Sequence, residues 1–554
     1  MVYPSQEIVM KLESPQTLET DVLVLGSGGA GLRVAIEARK HGVNVLLISK
    51  SPIGLSSNTA ISGSGIATAT GWREPDDSPE IHFKDTIIGG RFMSIQRLVD
   101  VMTRESQQQI LDLESFGVKF RKKGDKFHVA LMAGHTYPRN VFGDKAIGTD
   151  LTLPLRDYAS HMGVELKENV LITKLLTSGD AAVGAVGIDE TGGIYQFNAK
   201  STVLATGGAG HIYLRTSNAA GSTGDGFVLA YDAGVPLADM EFVQFAMSGP
   251  NTEMFCAREG AVIRNTLGEN ILDKYNITDP VKMTRDALSR AIMTEILEGR
   301  SPDGAFLNLD TTTISEERFE KLRVLLPKNA PKDKRHFSVG LHSHFFMGGV
   351  RINEKTETSL DRLYAAGEVC AGVQGASRLG GNALAETFVL GKIAGDRAAK
   401  RALAIERSDR TDPNQLSEEV ERLKGLAPDK GTESLKELQK SLRTIMWNQA
   451  GIVRSEKGLK DASDEIICLK KRFREVHVGT YGELTSAIKL SNMLLVSEMV
   501  VRSALLRNES RGAHYRSDYP EENNKEWLKN IVISKKNGEM TLSTVPVDLY
   551  LMAP

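Results

Sequence analysis

The segment from Asp21 to Ser49 constrains the fold of this chain more than any other. Its sequence, DVLVLGSGGAGLRVAIEARKHGVNVLLIS, has the pattern of a buried strand, a glycine-rich turn, an amphipathic helix and a second buried strand. Gly26, Gly28 and Gly31 form GxGxxG where the first strand turns into the helix. There the first glycine permits a tight turn, the second lets the backbone approach a pyrophosphate, and the third brings helix and strand together. The segment therefore predicts a βαβ unit that binds a dinucleotide.

The residues after the second strand bear on which dinucleotide is bound. That strand ends in Ser49 and Lys50 rather than in the Asp or Glu that holds the ribose hydroxyls of NAD. This argues against NAD and leaves FAD open, because Ser49 or Lys50 could contact its ribose or pyrophosphate. The helix N-terminus at Gly29 and Ala30 would supply N–H donors to the phosphates. A further strand ends in glycines at STVLATGGAG, from Ser201, and offers a second backbone approach to the cofactor.

The overall composition argues against several classes of protein. With 554 residues the chain is long enough for two or three domains. Its 68 basic and 70 acidic residues nearly cancel, which argues against nucleic-acid binding. We find no apolar run of about eighteen residues, and the start of the chain lacks the pattern of a signal peptide. We therefore expect a cytoplasmic protein that does not insert into a membrane.

The cysteines argue against a metal cluster within the chain. Cys256, Cys370 and Cys468 are too scattered for a CxxC pair or a four-thiolate site. Each is expected to be a small buried residue. Any iron–sulfur centre that works with this chain would then sit on another protein.

The order of the segments predicts a discontinuous cofactor domain. Its two parts are residues 1–241 and 337–405, with a capping domain at 242–336, a helical domain at 406–510, and a surface tail at 511–554 that includes a KKNGE turn at Lys535. A third strand that ends in glycine, within Arg362 to Gly372, supports a sheet assembled from distant segments. Apolar residues at helical spacing, such as Leu435, Leu438, Leu442 and Ile445, support the helical domain.

Eight sequence blocks, in a fixed order along the chain, carry a resemblance to a known family. They are GSGGAGLR, ATGGAG, STGDGFVLAYDAGVPLADMEFVQF, TRDALSRAI, HFFMGGV, YAAGEV, GASRLGGNAL and ESRGAHYRSDYP. Together they resemble the flavoprotein subunit of the succinate dehydrogenase and fumarate reductase family, which also contains L-aspartate oxidase and adenylylsulfate reductase. The resemblance covers nearly the whole chain. It implies an α/β Rossmann-like FAD-binding domain with an inserted α+β capping domain and a C-terminal helical domain.

The resemblance, with the glycine motif, also assigns residues to the FAD site. They are Gly26, Gly28, Gly29, Ala30, Gly31, Ser49, Lys50, Asn58, Thr59, Gly63, Ala205, Thr206, Gly207, Asp225, Glu368, Arg378, Ala383 and Leu384. In the membrane-bound members a histidine in a segment like SHTxxxxGG bonds covalently to FAD, and the matching stretch SSNTAISGSG has Asn58 in that place. An amide cannot form that bond. We therefore expect noncovalent FAD, with a lower potential than in the covalent members, which suits substrate reduction.

The resemblance implies hydride exchange between flavin N5 and one carbon of a substrate double bond, with a proton exchanged at the other carbon. In the family an arginine in an SRD-like motif delivers this proton, and TRD places Arg285 in that role. Because a guanidinium is normally protonated, the role requires a dry pocket and a relay. Glu253, Arg258 and Glu259 are the expected relay. The alternative is a surface Arg285 in the first turn of a helix capped by Thr284.

Two further residues match family positions that hold a substrate carboxylate. They are His344 in HFFMGG and Arg378 in GASRLGG, and arginine is the better bidentate anchor. His342 lies two residues before His344 but lacks its spacing to MGG. The alternatives are a surface histidine and a structural ion pair.

Two departures from the family pattern affect the substrate site. The family follows MEFVQF with His-Pro-Thr, whereas this chain has Ala246, Met247 and Ser248, so the first carboxylate-binding histidine is absent. Losing a hydrogen bond to a charged group costs roughly 1.5 to 3 kcal/mol. Fumarate is then expected to bind poorly unless Ser248 or another group compensates, or the substrate lacks that carboxylate. The stretch TEMFCAREGA also carries an extra residue, which shifts Arg258.

These observations predict an FAD-dependent oxidoreductase of fumarate reductase or succinate dehydrogenase type. It would act on an unsaturated acid and exchange electrons with an iron–sulfur partner subunit. The alternatives among enzymes are an L-aspartate oxidase, which needs no such partner, and an enzyme like adenylylsulfate reductase. An alternative of another class is a flavin electron-transfer subunit without substrate chemistry, which the missing histidine favours and Arg285 and His344 oppose.

Overall fold

A seven-stranded sheet assembled from distant segments forms the centre of the molecule. The computed structural model describes residues 15–72, 74–248, 255–256, 259–277, 284–323, 326, 331, 333–406, 411–426 and 431–554. The strand order is Glu165–Lys167, Val45–Ile48, Gln16–Leu25, Ile194–Leu204, Ala181–Asp189 and Val170–Ser178, with Leu363–Ala365 also paired to Ile194–Leu204. The predicted βαβ unit and the sheet built from separate segments are both confirmed.

Two helices pack closely on this sheet. The helix Gly29–Lys40 follows the glycine-rich turn, and the helix Asn382–Leu403 lies against it. A Cβ atom at Gly395 would lie 2.5 Å from the carbonyl oxygen of Val34, so only glycine permits this approach. The buried Arg33 then ties the first helix to its neighbour Gln96–Ser115 through Asp112, at 2.8 Å.

The predicted capping segment forms a small sheet with helices. Its strands are Val262–Arg264, Leu307–Asp310 and His336–Val339, and its helices are Ile271–Lys274, Arg285–Leu297 and Glu316–Leu322. The predicted boundary between 336 and 337 passes through the last of these strands. A separate strand pair, Val243–Met247 with Leu341–Phe346, flanks these elements in sequence.

Four helices lie in the described part of the predicted helical segment. They are Pro413–Gly425, Leu435–Gln449, Glu456–Phe473 and Tyr481–Leu506, and the apolar side chains of Leu438, Leu442 and Ile445 are buried among them. By length and composition Tyr481–Leu506 is apolar enough to cross a membrane, although polar and charged residues such as Lys489 and Glu498 interrupt its sequence. Most of its apolar window, 67%, is buried inside the fold, where it packs on neighbouring helices.

The predicted surface tail, residues 511–554, is partly buried in the fold. It folds as a hairpin, Lys529–Lys536 with Glu539–Pro546, turning at Asn537 and Gly538, whose φ angles are 52° and 82°. The hairpin extends a sheet with Leu237–Ala238 and Gly349–Val350, and Ile531 and Ile533 are fully buried.

The remaining elements are short strands and scattered helices. The helices are Asn58–Ile61, Pro79–Gly89, Gln96–Ser115, Thr149–His161, Asp225–Asp232 and Asn524–Trp527, with a 3₁₀ turn at Gly210–Ile212. The strands are Ile66–Ala67, Lys122–Lys123, Lys126–Phe127, Val129–Ala130, Asn140–Val141, Val453–Arg454 and Tyr515–Arg516. Cys256 and Cys370 are buried as expected, whereas Cys468 is exposed on the helix Glu456–Phe473.

Candidate active site

A cavity of about 460 Å³ opens at the carboxyl ends of the parallel strands. It collects nearly all of the residues predicted to bind FAD. Those in its wall are Gly26, Gly28, Gly29, Ala30, Ser49, Lys50, Asn58, Thr59, Gly63, Ala205, Thr206, Gly207, Asp225, Glu368, Arg378, Ala383 and Leu384. Gly31 lies behind the wall, where a Cβ atom would sit 1.8 Å from the carbonyl oxygen of Gly26. That position fits the predicted role of the third glycine in helix–strand packing.

The glycine turn leaves space for a ligand at one position in particular. Gly26 has φ +109°, and a Cβ atom there would lie 2.3 Å from the carbonyl oxygen of Ala205, so the fold itself requires this glycine. At Gly28 the nearest atom, in Ser57, would be 3.5 Å away, which is ordinary contact. The protein alone therefore tolerates a side chain at Gly28, and the close approach required there is that of a phosphate group.

Ser49 and Lys50, which follow the strand Val45–Ile48, form hydrogen bonds and an ion pair with other residues of the protein. The Lys50 ammonium group forms an ion pair with Asp225 and donates to the hydroxyl oxygen of Thr223 at 3.0 Å. Burial opposes ionisation of Asp225, but the charge of Lys50 holds the pKa of this carboxyl below its ordinary value. Ser49 accepts from the Ser27 hydroxyl at 2.7 Å. Both predicted residues line the cavity, yet their polar atoms are bonded to the protein.

Asn58 is a junction between three parts of the wall. Its amide nitrogen donates to the Glu368 carboxylate at 2.8 Å, and its oxygen accepts from the backbone N–H of Ala219 at 2.9 Å and from the Ser222 hydroxyl at 3.2 Å. Burial raises the pKa of Glu368 even though Asn58 favours the ionised form. The side chain at this position thus holds the wall together through hydrogen bonds.

The predicted catalytic and carboxylate-binding residues meet at one end of the same cavity. Arg285, His344 and Arg378 all line it. His344 is the extra residue of a β-bulge, because Ser343 pairs with Phe245 and Phe345 pairs with Gln244. Bulges of this kind redirect side chains beside active sites.

Burial and nearby charge set the state of His344. Its Nδ1 atom lies 2.8 Å from the Ser217 hydroxyl. Burial, and then the positive charges of Arg285 and Arg378, keep the pKa of His344 well below its ordinary value. When Ser217 donates its proton to Nδ1, the neutral ring carries its own proton on Nε2 and can donate it to a carboxylate.

Two bridges connect the cap helix Arg285–Leu297 to the loop that carries Arg378. Arg285 contacts the Gln244 side-chain oxygen at 3.4 Å, and the Gln244 amide donates to the carbonyl oxygen of Arg378 at 2.8 Å. Beside them the Ser377 hydroxyl donates to the Asp286 carboxylate at 2.5 Å. The guanidinium of Arg378 also lies over the Phe345 ring, 4.7 Å from its centroid. These bonds fix the two arginines relative to each other.

Of the other predicted substrate and relay residues, Ser248 and Glu259 lie away from the cavity wall. The Ser248 hydroxyl accepts from the backbone N–H of Gly340 at 3.0 Å and lies outside the wall, because it closes the end of a strand pair. Glu259 binds Arg318 through both carboxylate oxygens, at 2.7 Å. Glu253 and Arg258 lie outside the described residues. Thr284 occupies the N-cap position of the cap helix but makes no side-chain cap hydrogen bond.

Asn140 is a residue of the wall that the sequence did not indicate. Its side chain is fully buried, and neither amide atom has a hydrogen-bond partner among the described residues. It lines the cavity beside Gly381, whose φ is +85° and where a Cβ atom would lie 1.7 Å from the Asn140 oxygen. A buried amide needs partners, and the isoalloxazine edge of FAD offers both donors and acceptors. The residues present therefore fit this cofactor.

The described residues hold no site for a metal or a cluster. Within them no group of three or more His, Cys, Asp or Glu side chains could bind a metal ion. Burial raises the pKa of the Cys256 thiol to about 12 and that of Cys370 above its ordinary value, so neither is a ready thiolate.

Comparison with known proteins agrees with this geometry. A family model described as an FAD binding domain matches residues 21–384, and one described as the fumarate reductase flavoprotein C-terminus matches residues 439–554. A relative from Methanothermobacter marburgensis, one subunit of a fumarate reductase (CoM/CoB), is 38% identical over 538 residues, covering 94% of this chain and 97% of the relative.

Two solved structures are similar over nearly their whole length. The quinol fumarate reductase protein FrdA of E. coli has a TM-score of 0.90 and 29% identity, covering 97% of this chain and 98% of that one. Sdh1 of Mycobacterium smegmatis has a TM-score of 0.85 and 31% identity, covering 97% and 96%. This chain belongs to the flavoprotein subunit family of fumarate reductase and succinate dehydrogenase, and it is an FAD-dependent oxidoreductase.

Proposed function

We propose that this chain reduces the double bond of fumarate or a closely related unsaturated dicarboxylic acid, with Arg285 as the proton donor. The observation that supports the proposal most is the meeting of Arg285, His344 and Arg378 in one cavity with the FAD-binding residues. Two cations and a neutral imidazole donor complement a dianionic substrate.

Arg285 would deliver the proton while its neighbours hold it in place. When bound, FAD supplies the hydride for one carbon of the double bond. The guanidinium gives its proton to the other carbon and must be reprotonated from outside. Gln244 and the Asp286–Ser377 bond support a fixed position for Arg285 at the start of the cap helix. The predicted relay through Glu253 and Arg258 remains part of this proposal.

His344 and Arg378 would bind and orient the acid. Because the pKa of His344 is lowered, the ring is neutral near pH 7 and donates a hydrogen bond without bringing a further charge into the site. Arg378 is nearly buried, at 6% exposure, so its interaction with a carboxylate is weakly screened by water. Binding by these residues would keep the double bond facing the flavin.

We also propose that FAD is bound noncovalently. Asn58 stands where the covalent members of the family carry a histidine, and its amide is bonded to Glu368, Ala219 and Ser222. An amide nitrogen is not a nucleophile, because its lone pair is delocalised. The network therefore supports a dissociable cofactor.

Electrons would reach the flavin from an iron–sulfur protein. The described residues contain no cluster site, and the Methanothermobacter relative is named as one subunit of its enzyme, as expected of a chain that works in an assembly. The burial of Tyr481–Leu506 supports a chain that does not itself insert into a membrane. An L-aspartate oxidase, an enzyme like adenylylsulfate reductase and a flavin relay without substrate chemistry remain the alternatives.

Reoxidation of the reduced flavin tests the proposal. Holoenzyme reduced without oxygen should be reoxidised on adding fumarate, and Arg285→Lys should slow this by at least about 100-fold, the usual contribution of a general acid. The matched control is Arg290→Lys on the same helix, whose guanidinium lies over Tyr515 outside the main cavity and which should leave the rate close to that of the wild type. Equal rates for wild type and Arg285→Lys would refute Arg285 as the donor. Reoxidation only by a redox protein would favour the relay function.

A further inference from the structure

The strand that carries His344 also carries a second imidazole close to it. His342 and His344 are two residues apart on Leu341–Phe346, and the bulge at His344 breaks the regular alternation of side chains there. Their ring centroids are 5.9 Å apart, with an angle of 55° between the planes. This separation leaves room for a carboxylate that accepts a hydrogen bond from each ring.

The residue that pairs with His342 on the opposite strand, Ala246, has a small side chain. Ala246 pairs directly with His342, so their side chains lie on the same side of the sheet, with Cβ atoms about 4.5 to 5.5 Å apart. Ala246 is buried, at 4% exposure, and contributes only a methyl group. The His342 ring thus lies beside that of His344, which lines the cavity, and it faces only a methyl group at position 246.

The charges around the two rings favour an anion. Burial lowers the pKa of His344 most, and the positive charges of Arg285 and Arg378 and the His342 ring lower it further. These residues therefore form one electrostatic cluster of two guanidinium groups and two imidazoles. In such a cluster an imidazole is better suited to donate from its neutral form than to carry a third positive charge.

We propose that His342 is a substrate-binding residue that donates a hydrogen bond, together with His344, to one carboxylate of the acid. This inference rests on the proposed function and extends it. It accounts for the alanine at position 246, because the imidazole lost from that strand is supplied by the strand opposite. The substrate class is then a dicarboxylate, rather than an acid that lacks one of the two groups.

Binding of a dicarboxylate that is not turned over tests this directly. Malonate is titrated into oxidised holoenzyme, and its Kd is read from the change in flavin absorbance. His342→Ala should raise the Kd roughly 10- to 100-fold, the loss expected for one hydrogen bond to a charged group. The control His336→Ala removes a histidine that is 57% exposed on a neighbouring strand, and it should leave the Kd near that of the wild type.

A second variant tests whether a histidine at position 246 can replace the one at position 342. Ala246→His, added to His342→Ala, should recover much of the lost affinity, because position 246 faces the same space. His342→Gln keeps a donor of similar size, and it serves if the alanine variant does not fold. Its Kd should lie between those of wild type and His342→Ala.

The outcomes separate this inference from the proposed function. If wild type binds malonate but its reduced flavin is not reoxidised by fumarate, the proposed function fails and the malonate series still decides the role of His342. A Kd for both His342 variants equal to that of wild type would overturn the inference, as would failure of wild type to bind malonate.

Discussion

At the residue scale, Asn58 joins segments that are far apart in the chain. It bonds to Glu368 and to the backbone of Ala219, which lie 310 and 161 residues away in sequence. The amide serves as donor and acceptor at once, and an imidazole cannot reproduce both bonds in the same geometry. The side chain of Asn58 therefore links separate parts of the cavity wall. A covalent bond to the flavin would instead require a nucleophilic side chain at this position.

Asn58 leads to a prediction about cofactor release. Acid precipitation of the purified protein should leave a colourless pellet and free FAD in the supernatant, because in the proposed noncovalent mode no bond links the flavin to the chain. The measurement is the absorbance spectrum of both fractions, with a denaturing gel viewed for flavin fluorescence as the control. A yellow pellet and a fluorescent protein band would contradict noncovalent binding.

Residues in local motifs could be predicted, whereas residues placed by tertiary structure could not. Gly26 stands in a short pattern whose spacing indicates its role, Arg285 stands in a motif that the family resemblance assigns, and the structure brings both to the cavity. Asn140 stands in no motif, and it reaches the wall only because the strand Asn140–Val141 packs beside Gly381. Ser248 was expected in the substrate site, but strand pairing uses its hydroxyl.

At the element scale, the cap helix Arg285–Leu297 is anchored at its first turns. Asp286 accepts from the Ser377 hydroxyl at 2.5 Å, and the Ser289 hydroxyl donates to the carbonyl oxygen of Phe245 at 3.1 Å. The first of these bonds crosses from the predicted capping segment to the loop that carries Arg378. It therefore helps to hold Arg285, the proposed proton donor, in place beside that loop.

Removing this anchor should weaken catalysis without removing FAD. Ser377→Ala should lower kcat/KM for fumarate by roughly tenfold, because a hydrogen bond to a charged group is worth about 1.5 to 3 kcal/mol and water replaces part of it. Ser377→Thr keeps the hydroxyl and should restore most of the activity. The control Ser417→Ala alters an exposed helical hydroxyl far from the cavity in sequence. Unchanged kcat/KM in Ser377→Ala would contradict a positioning role.

The spacing of apolar residues predicted where helices lie better than it predicted what packs around them. The helix that begins at Leu435 lies where apolar spacing indicated. Tyr481–Leu506 escaped notice as an apolar helix because polar residues interrupt its sequence, and its burial follows from packing that the pattern does not contain. The bulge at His344 arises from a mismatch between two strands, and neither strand shows it alone.

At the scale of the whole molecule, buried ion pairs connect the C-terminal segment to the cofactor domain. Arg507 donates to Glu241 at 2.7 Å and to Glu509 at 2.9 Å, and Arg511 donates to Glu509 at 2.8 Å, with all four side chains buried. Removing one partner of such a pair would leave an uncompensated buried charge. The ESRGAHYRSDYP block is thus part of the core that supports the site, although no residue of it lines the cavity.

A single turnover tests the central claim, that this flavoprotein itself reduces an unsaturated dicarboxylic acid. Fully reduced holoenzyme is mixed with excess fumarate without oxygen, while flavin absorbance is followed and the acid is identified afterwards. The account predicts that the flavin becomes oxidised and that one succinate forms for each FAD. A flavin that stays reduced, with no succinate formed, would contradict it.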